Sequence, residues 1–246
     1  MAHITLEQSL QDLRALLREH APVFWSDADL RDLLSQAQQD VAALTLAVQQ
    51  RVLFASSDTP QVWRPGVRHY ALAGAVGSGG LGLADVVTVL HLFKDADSLP
   101  KWSPEMVVSA DARSSRGAGE PAYWYQFAGL LGFAPYPSAQ FVASAWDLEV
   151  VYAVYPADWR TGASVLPSGF DELPTYLAFT KAMIARKQWD VALQAYKDLM
   201  QLLVQYRQIA LARAATPRRA LKFPPRIERL DEPTRLERSR RAPTRR

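Results

Sequence analysis

The spacing of apolar residues changes twice along this 246-residue chain. At the start they recur at every third or fourth position, as in Leu6, Leu10, Leu13 and Leu17. Short alternating runs broken by Gly, Pro and Ser follow, and the wider spacing returns after Gly169. Because side chains repeat about every 3.6 residues in a helix and about every 2 in a strand, this order predicts an α+β protein. A β-rich insertion lies between two helical segments.

The first helical segment, residues 1–55, is predicted to be an antiparallel αα-hairpin. One helix spans Thr5–His20, and a second begins at Ser26 and runs to about Gln50. Ser26 has the character of an N-cap, with Asp29 three residues later to complete a capping box. A short loop between two helices of this length favours antiparallel packing.

Residues 56–168 are predicted to form a small antiparallel sandwich or barrel. Turn signals of Gly, Pro and Ser separate the alternating runs. The predicted strands are Gln61–Arg64, Val67–Leu72, Asp85–Phe93, Tyr123–Phe127, Gly129–Phe133 and Trp146–Tyr155.

A second helical hairpin is predicted over residues 169–216, with helices at Asp171–Lys187 and Asp190–Ala214. The last of these helices would be about 37 Å long, and Thr216-Pro217 ends it. Its predicted apolar stripe includes Val191, Leu199, Leu202, Leu203 and Ile209.

Residues 217–246 are predicted to be an extended basic arm. They hold 11 Lys or Arg against 4 Asp or Glu, while the rest of the chain holds 17 against 21. Such charge runs are commonly solvated tails, but apolar residues are spaced through this one, which favours an arm that orders on a partner. The predicted partner-binding residues are Arg218, Arg219, Lys222, Phe223, Arg226, Ile227, Arg229, Leu230, Arg235, Leu236, Arg238, Arg240 and Arg241.

Several classes of function find no support in the composition. The chain contains no cysteine, which fits a reducing cytosol and removes thiolate chemistry. Its four histidines are scattered, so we predict no metal site. No apolar run is long enough for a transmembrane helix or typical of a signal peptide, and we expect no membrane association.

The run Gly77–Gly82 matches the dinucleotide fingerprint GxGxxG. That fingerprint requires a helix directly after the glycines, whereas Asp85–Phe93 has the pattern of a strand. We therefore predict a flexible hairpin loop and no cofactor.

Catalytic constellations are also missing from the sequence, and we predict that the protein is not an enzyme. No GxSxG elbow occurs, and His69 and His91 fall in strand-like runs, where hydrogen-bonded structural histidines are expected. The aromatic residues are expected to fill a core or a subunit interface, with stacking on bases or sugars as the alternative. These residues are Trp124, Tyr125, Phe127, Phe133, Tyr136 and Phe141.

The order of these parts, and particular residues in them, resemble the head-to-tail adaptor (connector, or head-completion) family of tailed bacteriophages. The resemblance runs from the N-terminus to about Pro217. The residues that carry it are Phe24–Leu30, Leu33-Leu34, Ala37-Gln38, Gly119–Tyr125, Pro135–Pro137, Leu148–Tyr155, Leu166-Pro167, Asp171–Leu173, Tyr176-Leu177 and Ala192–Tyr196.

The resemblance implies a virion protein at the head–tail junction, assembled in the host cytoplasm. It implies a ring, usually of twelve copies, between the portal protein and a tail or nozzle protein. Genomic DNA would cross this ring without sequence-specific binding, and the family carries no catalytic residues. Two alternatives stay open: a nucleic-acid-binding protein that uses the Arg-rich tail on phosphates, and a tail-completion protein.

Overall fold

The computed structural model describes residues 4–19, 23–54, 63–76, 80–106, 117–144, 147–161, 164–167 and 169–215. Within these ranges helices and largely antiparallel sheets occur together, which confirms the predicted α+β class. The basic arm, residues 217–246, lies outside the described ranges.

The α-helices with defined bounds in the described ranges are Leu6–Leu17 (α1), Asp27–Thr45 (α2), Ala139–Ala143 (α3), Leu173–Ala185 (α4) and Trp189–Ala214 (α5). Four of them share one hydrophobic cluster. Helices α1, α2, α4 and α5 contribute Leu13, Leu34, Ala178 and Leu203 to it, and Trp159 joins them from a short 3₁₀ turn. Helix α3 is a short segment that packs with the strands through Phe141 and Val142.

Both N-terminal helices begin with a capping box. The Asp29 amide donates to Ser26 Oγ at 3.1 Å, and the Ser26 amide donates to the Asp29 carboxylate at 3.2 Å. This confirms Ser26 as the N-cap of α2. Thr5 and Gln8 make the same reciprocal pair at the start of α1. Each box satisfies two backbone donors that the first helical turn leaves without partners.

Helix α2 ends earlier than predicted. It stops at Thr45, where Leu46 adopts a left-handed conformation and its amide donates to the Ala42 carbonyl. A strand then occupies Gln49–Phe54, within the range 1–55 that we assigned to the helical hairpin. These residues pair with a strand about a hundred positions later in the chain, and that pairing overrides the helical spacing.

Nine strands form three sheets in the described part of the chain. The strands are β1 Gln49–Phe54, β2 His69–Val76, β3 Val86–Lys94, β4 Asp97–Leu99, β5 Ala118–Gly119, β6 Tyr123–Phe127, β7 Leu130–Ala134, β8 Tyr136–Pro137 and β9 Leu148–Val154. The largest sheet has the order β1-β9-β3-β4, a second has the order β2-β7-β6, and β5 and β8 form a short parallel pair.

Five of the six predicted runs overlap observed strands, although the bounds of β2 are shifted by two and four residues, and β1, β4, β5 and β8 were not predicted. The first predicted run does not form a strand where it is described. Residues 61 and 62 lie outside the described ranges, and Trp63 and Arg64 are not in a strand. Trp63 is nevertheless fully buried, with its ring edge-on to Tyr70 and Phe133. The alternating pattern of this run therefore reflects the burial of Trp63 in the core of the sheets and not the pairing of a strand.

Removal of the α2 cap provides a direct test of this architecture. We expect Ser26→Ala to lower the free energy of unfolding by about 1 kcal/mol, because the Asp29 amide loses its side-chain acceptor. Urea unfolding followed by circular dichroism measures the change. Ser98→Ala, at an exposed position on β4, is the matched control and should fall within about 0.5 kcal/mol of the parent. Equal effects of the two substitutions would contradict the role of the cap.

Candidate protein-binding interface

The two histidines that lie in strands, His69 and His91, each contact a neighbouring aromatic side chain. His69 Nε2 lies 2.7 Å from the Tyr125 hydroxyl, which confirms the predicted hydrogen bond. Burial, with Arg68 nearby, lowers the pKa of His69. His91 stacks on Phe93, and burial together with Arg51 and Lys101 lowers its pKa as well. Both shifts favour the neutral form of the imidazole ring.

The described residues offer no support for a nucleotide or metal site. Gly77–Gly79 lie outside the described ranges, but the segment after Gly82 leads into strand β3. The helix N-terminus that a dinucleotide site requires is thus replaced by a strand. Within the described ranges no group of three or more acidic or histidine side chains is placed to hold a metal. No helix in them is long and apolar enough to cross a membrane.

Most of the aromatic series fills the core, as predicted. Trp124, Tyr125, Phe133 and Phe141 are buried. Phe127 differs, with 63% of its surface exposed where β6 turns into β7. A stacking platform for bases needs several exposed rings side by side, so the series does not form one.

The most unusual surface of the described structure is that of the long helix α5, because large apolar side chains on it are exposed. It runs for 26 residues, about 39 Å. Only a narrow stripe along it is buried against the rest of the protein, and this stripe consists largely of small residues and leucines. The buried residues are Ala192, Leu199, Leu203, Ala210 and Ala214.

Large apolar side chains flank this buried stripe and remain exposed. Each has between 38% and 61% of its surface open to solvent. A surface helix normally directs its apolar residues to its own core, and larger exposed apolar areas mark binding sites. The exposed residues are Trp189, Val191, Leu193, Tyr196, Leu202, Val204 and Ile209.

The C-terminal end of α5 is fixed to strand β1. The Gln49 side-chain amide donates to the Ala210 carbonyl at 2.8 Å. Arg51 donates to the carbonyls of Arg213 and Ala214 at 3.0 and 3.4 Å, and it also pairs with Glu149 at 3.3 Å. The carbonyls of Arg213 and Ala214 belong to the last turn, whose carbonyls lack partners within the helix. The chain therefore leaves α5 for the arm from a point tied to the sheet.

The partner-binding residues predicted in the arm, Arg218 to Arg241, all lie outside the described ranges. The predicted stripe of α5 groups Val191, Leu202 and Ile209 with Leu199 and Leu203, but the first three are exposed. Each of the three comes one residue before a buried residue, about 100° away around the helix, and this spacing is the sequence signal that separates them. No pattern in the neighbouring sequence indicates that Gln49 and Arg51 bind the end of α5, because their partners lie about 160 residues later in the chain.

A sequence model of one family, described as SU10 adaptor protein, matches residues 4–221. The chain belongs to this family. It is a phage head–tail adaptor family, so the resemblance noted from the sequence is confirmed. No curated protein matches the chain.

Membership establishes the general role of this adaptor. It is a structural component of a phage particle that associates with other head or tail proteins. The family is structural and has no known enzymatic activity. The match covers every described residue and extends into the first residues of the arm.

Arg51 is the residue through which the attachment of α5 can be tested. Arg51→Met keeps much of the apolar stem but removes the contacts to Glu149 and to the last carbonyls of α5. We expect a loss of about 2 kcal/mol in the free energy of unfolding, with faster amide hydrogen exchange over residues 211–215. Arg207→Met, at an exposed position on the same helix, should change neither. Unchanged exchange at the end of α5 in Arg51→Met would show that the helix is held by other contacts.

Proposed function

We propose that the adaptor forms a ring, dodecameric in keeping with its family resemblance, between the portal and the tail or nozzle protein. The genome would cross this ring during packaging and ejection. The match of the adaptor family to residues 4–221 carries the proposal. The exposed apolar side chains of α5 support it, because a protein that works by assembly needs surfaces that are covered only in the assembly.

We propose that the helical hairpins, the insertion and the arm of each subunit have different roles. The two helical hairpins, in residues 1–55 and 169–216, act as one body, in line with the cluster that their helices share. The insertion, residues 56–168, meets the tail side or the adjacent subunit. Strand β1 belongs structurally with the insertion, because it pairs with β9. The arm, residues 217–246, reaches the portal.

The composition of the arm suits a protein surface that carries carboxylates. Arginine makes bidentate pairs with carboxylates, and the interspersed Phe223, Ile227, Leu230 and Leu236 would fill shallow apolar pockets. Ordering thirty residues costs on the order of 1 to 2 kcal/mol per residue, so an extensive partner surface is required. DNA in the channel would be passed without sequence-specific contacts.

A chain that ends at residue 216 tests the role of the arm. We expect it to remain folded and soluble, because the described core lies within residues 4–215, but to lose attachment to portal-bearing heads. Sedimentation of heads with bound adaptor measures this. Attachment and sealing as efficient as with the full chain would show that the arm is passive.

A charge-preserving variant separates portal binding from binding to nucleic acid. Replacing Arg218, Arg219, Arg226 and Arg229 with Lys keeps the charge of the arm but removes bidentate pairing. Head attachment should weaken, whereas salt-dependent DNA retention, which follows the number of positive charges, should stay the same. If the full chain bound DNA tightly and never attached to heads, the nucleic-acid-binding alternative would be favoured.

A further inference from the structure

Helix α5 carries three adjacent apolar stripes that follow the same spacing along the chain. The middle stripe packs on the body of its own subunit and contains Ala192, Leu199, Leu203 and Ala210. The first flank lies one residue before each of these and contains Val191, Leu202 and Ile209, with Asp198 at the remaining position. The second flank lies one residue after each of them and contains the exposed Leu193 and Val204 with the half-buried Met200 and Leu211, of which Met200 also packs on the helical cluster of its own subunit.

The two flanks face nearly opposite directions. Successive residues are rotated by about 100° around a helix axis, so each flank lies about 100° from the middle stripe. Apolar side chains therefore cover more than half of the circumference, compared with a stripe of about 100° on an ordinary surface helix. The side away from the body carries the exposed amides Gln194, Gln201, Gln205 and Gln208. One partner cannot cover both flanks from a single direction.

We propose that the flanks are the contact surfaces between copies of this chain. The first flank of one α5 packs against the second flank of α5 in the next copy, and both helices run in the same direction. The proposal rests on the proposed ring and identifies the surface that closes it. A contact between two different surfaces generates a ring where the rotation between copies closes, and it does not generate a two-fold dimer.

The positions along the helix agree with this arrangement. Around a ring whose axis is parallel to α5, neighbouring helices lie at the same height. Residues two positions apart differ in height by about 3 Å, which is within reach of neighbouring side chains. Leu202 of one copy then meets Val204 of the next, Val191 meets Leu193, and Ile209 meets Leu211.

The charges on the flanks distinguish this packing from antiparallel alternatives. In the parallel arrangement Asp198 of the first flank lies level with Lys197, at the edge of the second flank. An antiparallel pair of second flanks that aligns Met200 with Val204 would place Lys197 against Arg207. An antiparallel pair of first flanks that aligns Val191 with Ile209 would place Asp198 against Leu202. Like charges in contact and a carboxylate against an apolar side chain both oppose association.

Because the chain contains no cysteine, engineered cysteines report this contact directly. The double variant Leu202→Cys/Val204→Cys should form, under mild oxidation, a ladder of covalent species that extends beyond the dimer. The two side chains point to nearly opposite sides of one helix, and cysteines whose Cβ directions diverge in this way cannot form a disulfide within a subunit. Each single variant should remain monomeric on a non-reducing gel, and a mixture of the two should stop at the dimer.

The matched control is Gln201→Cys/Gln205→Cys, on the polar side of the same helix, which should give no ladder. Cross-linking is measured on the full chain alone and after attachment to portal-bearing heads. Dimers from a single variant, or no ladder in either setting, would overturn the proposal. A charge exchange provides a second measurement: Lys197→Asp and Asp198→Lys should each reduce ring formation several-fold, and the two together should restore it.

The outcomes separate this inference from the proposed function. Adaptors that attach to heads and seal them, yet give no ladder, would overturn the α5 contact and leave the adaptor ring in place. A ladder from a chain that never attaches to heads would support the α5 contact and contradict the junction role.

Discussion

Strand β9 has no solvent-facing side chain, since all seven residues from Leu148 to Val154 are buried. It lies in the middle of the largest sheet, between β1 and β3. One face joins the core of the β segment through Val150 and Tyr152. The other face places Val151 against Ala214 at the end of α5. The position of the long helix relative to the sheets therefore depends on this strand, which lies in the chain far from both β1 and α5.

The attachment of α5 is polar at one end and apolar along its length. Gln49 and Arg51 bind carbonyls near its C-terminal end, while a narrow stripe that includes Leu199 and Leu203 packs on the other helices. Small residues in the buried stripe let the helix lie close to the body, and larger residues point outward. A rigid helix with exposed apolar flanks is costly for a protein that remains alone, and it is suited to one that assembles.

Charge is divided between the two parts of the chain. The arm is strongly basic and the remainder mildly acidic, so repulsion between them does not hold the arm away from the body. Under the proposed function, a partner surface rich in carboxylates would pair with these arginines. Attachment would then strengthen with the number of arginines and apolar residues that the partner contacts at once.

The sequence by itself determined the features that form within a few residues. The capping pair Ser26 and Asp29 spans one helical turn, and the helix and strand periods are written in adjacent positions. Together with the motifs of the adaptor family, these local signals gave the α+β class and the order of the parts.

Only the tertiary structure decided the features that depend on distant residues. Strand β1 forms at Gln49–Phe54 because β9 pairs with it, although the preceding residues continue a helical pattern. Val191 and Leu199 are both apolar, yet the body covers Leu199 and leaves Val191 exposed. The spacing of apolar residues predicts which side chains favour burial. The packing of neighbouring helices and strands then determines which of these side chains are buried within the subunit.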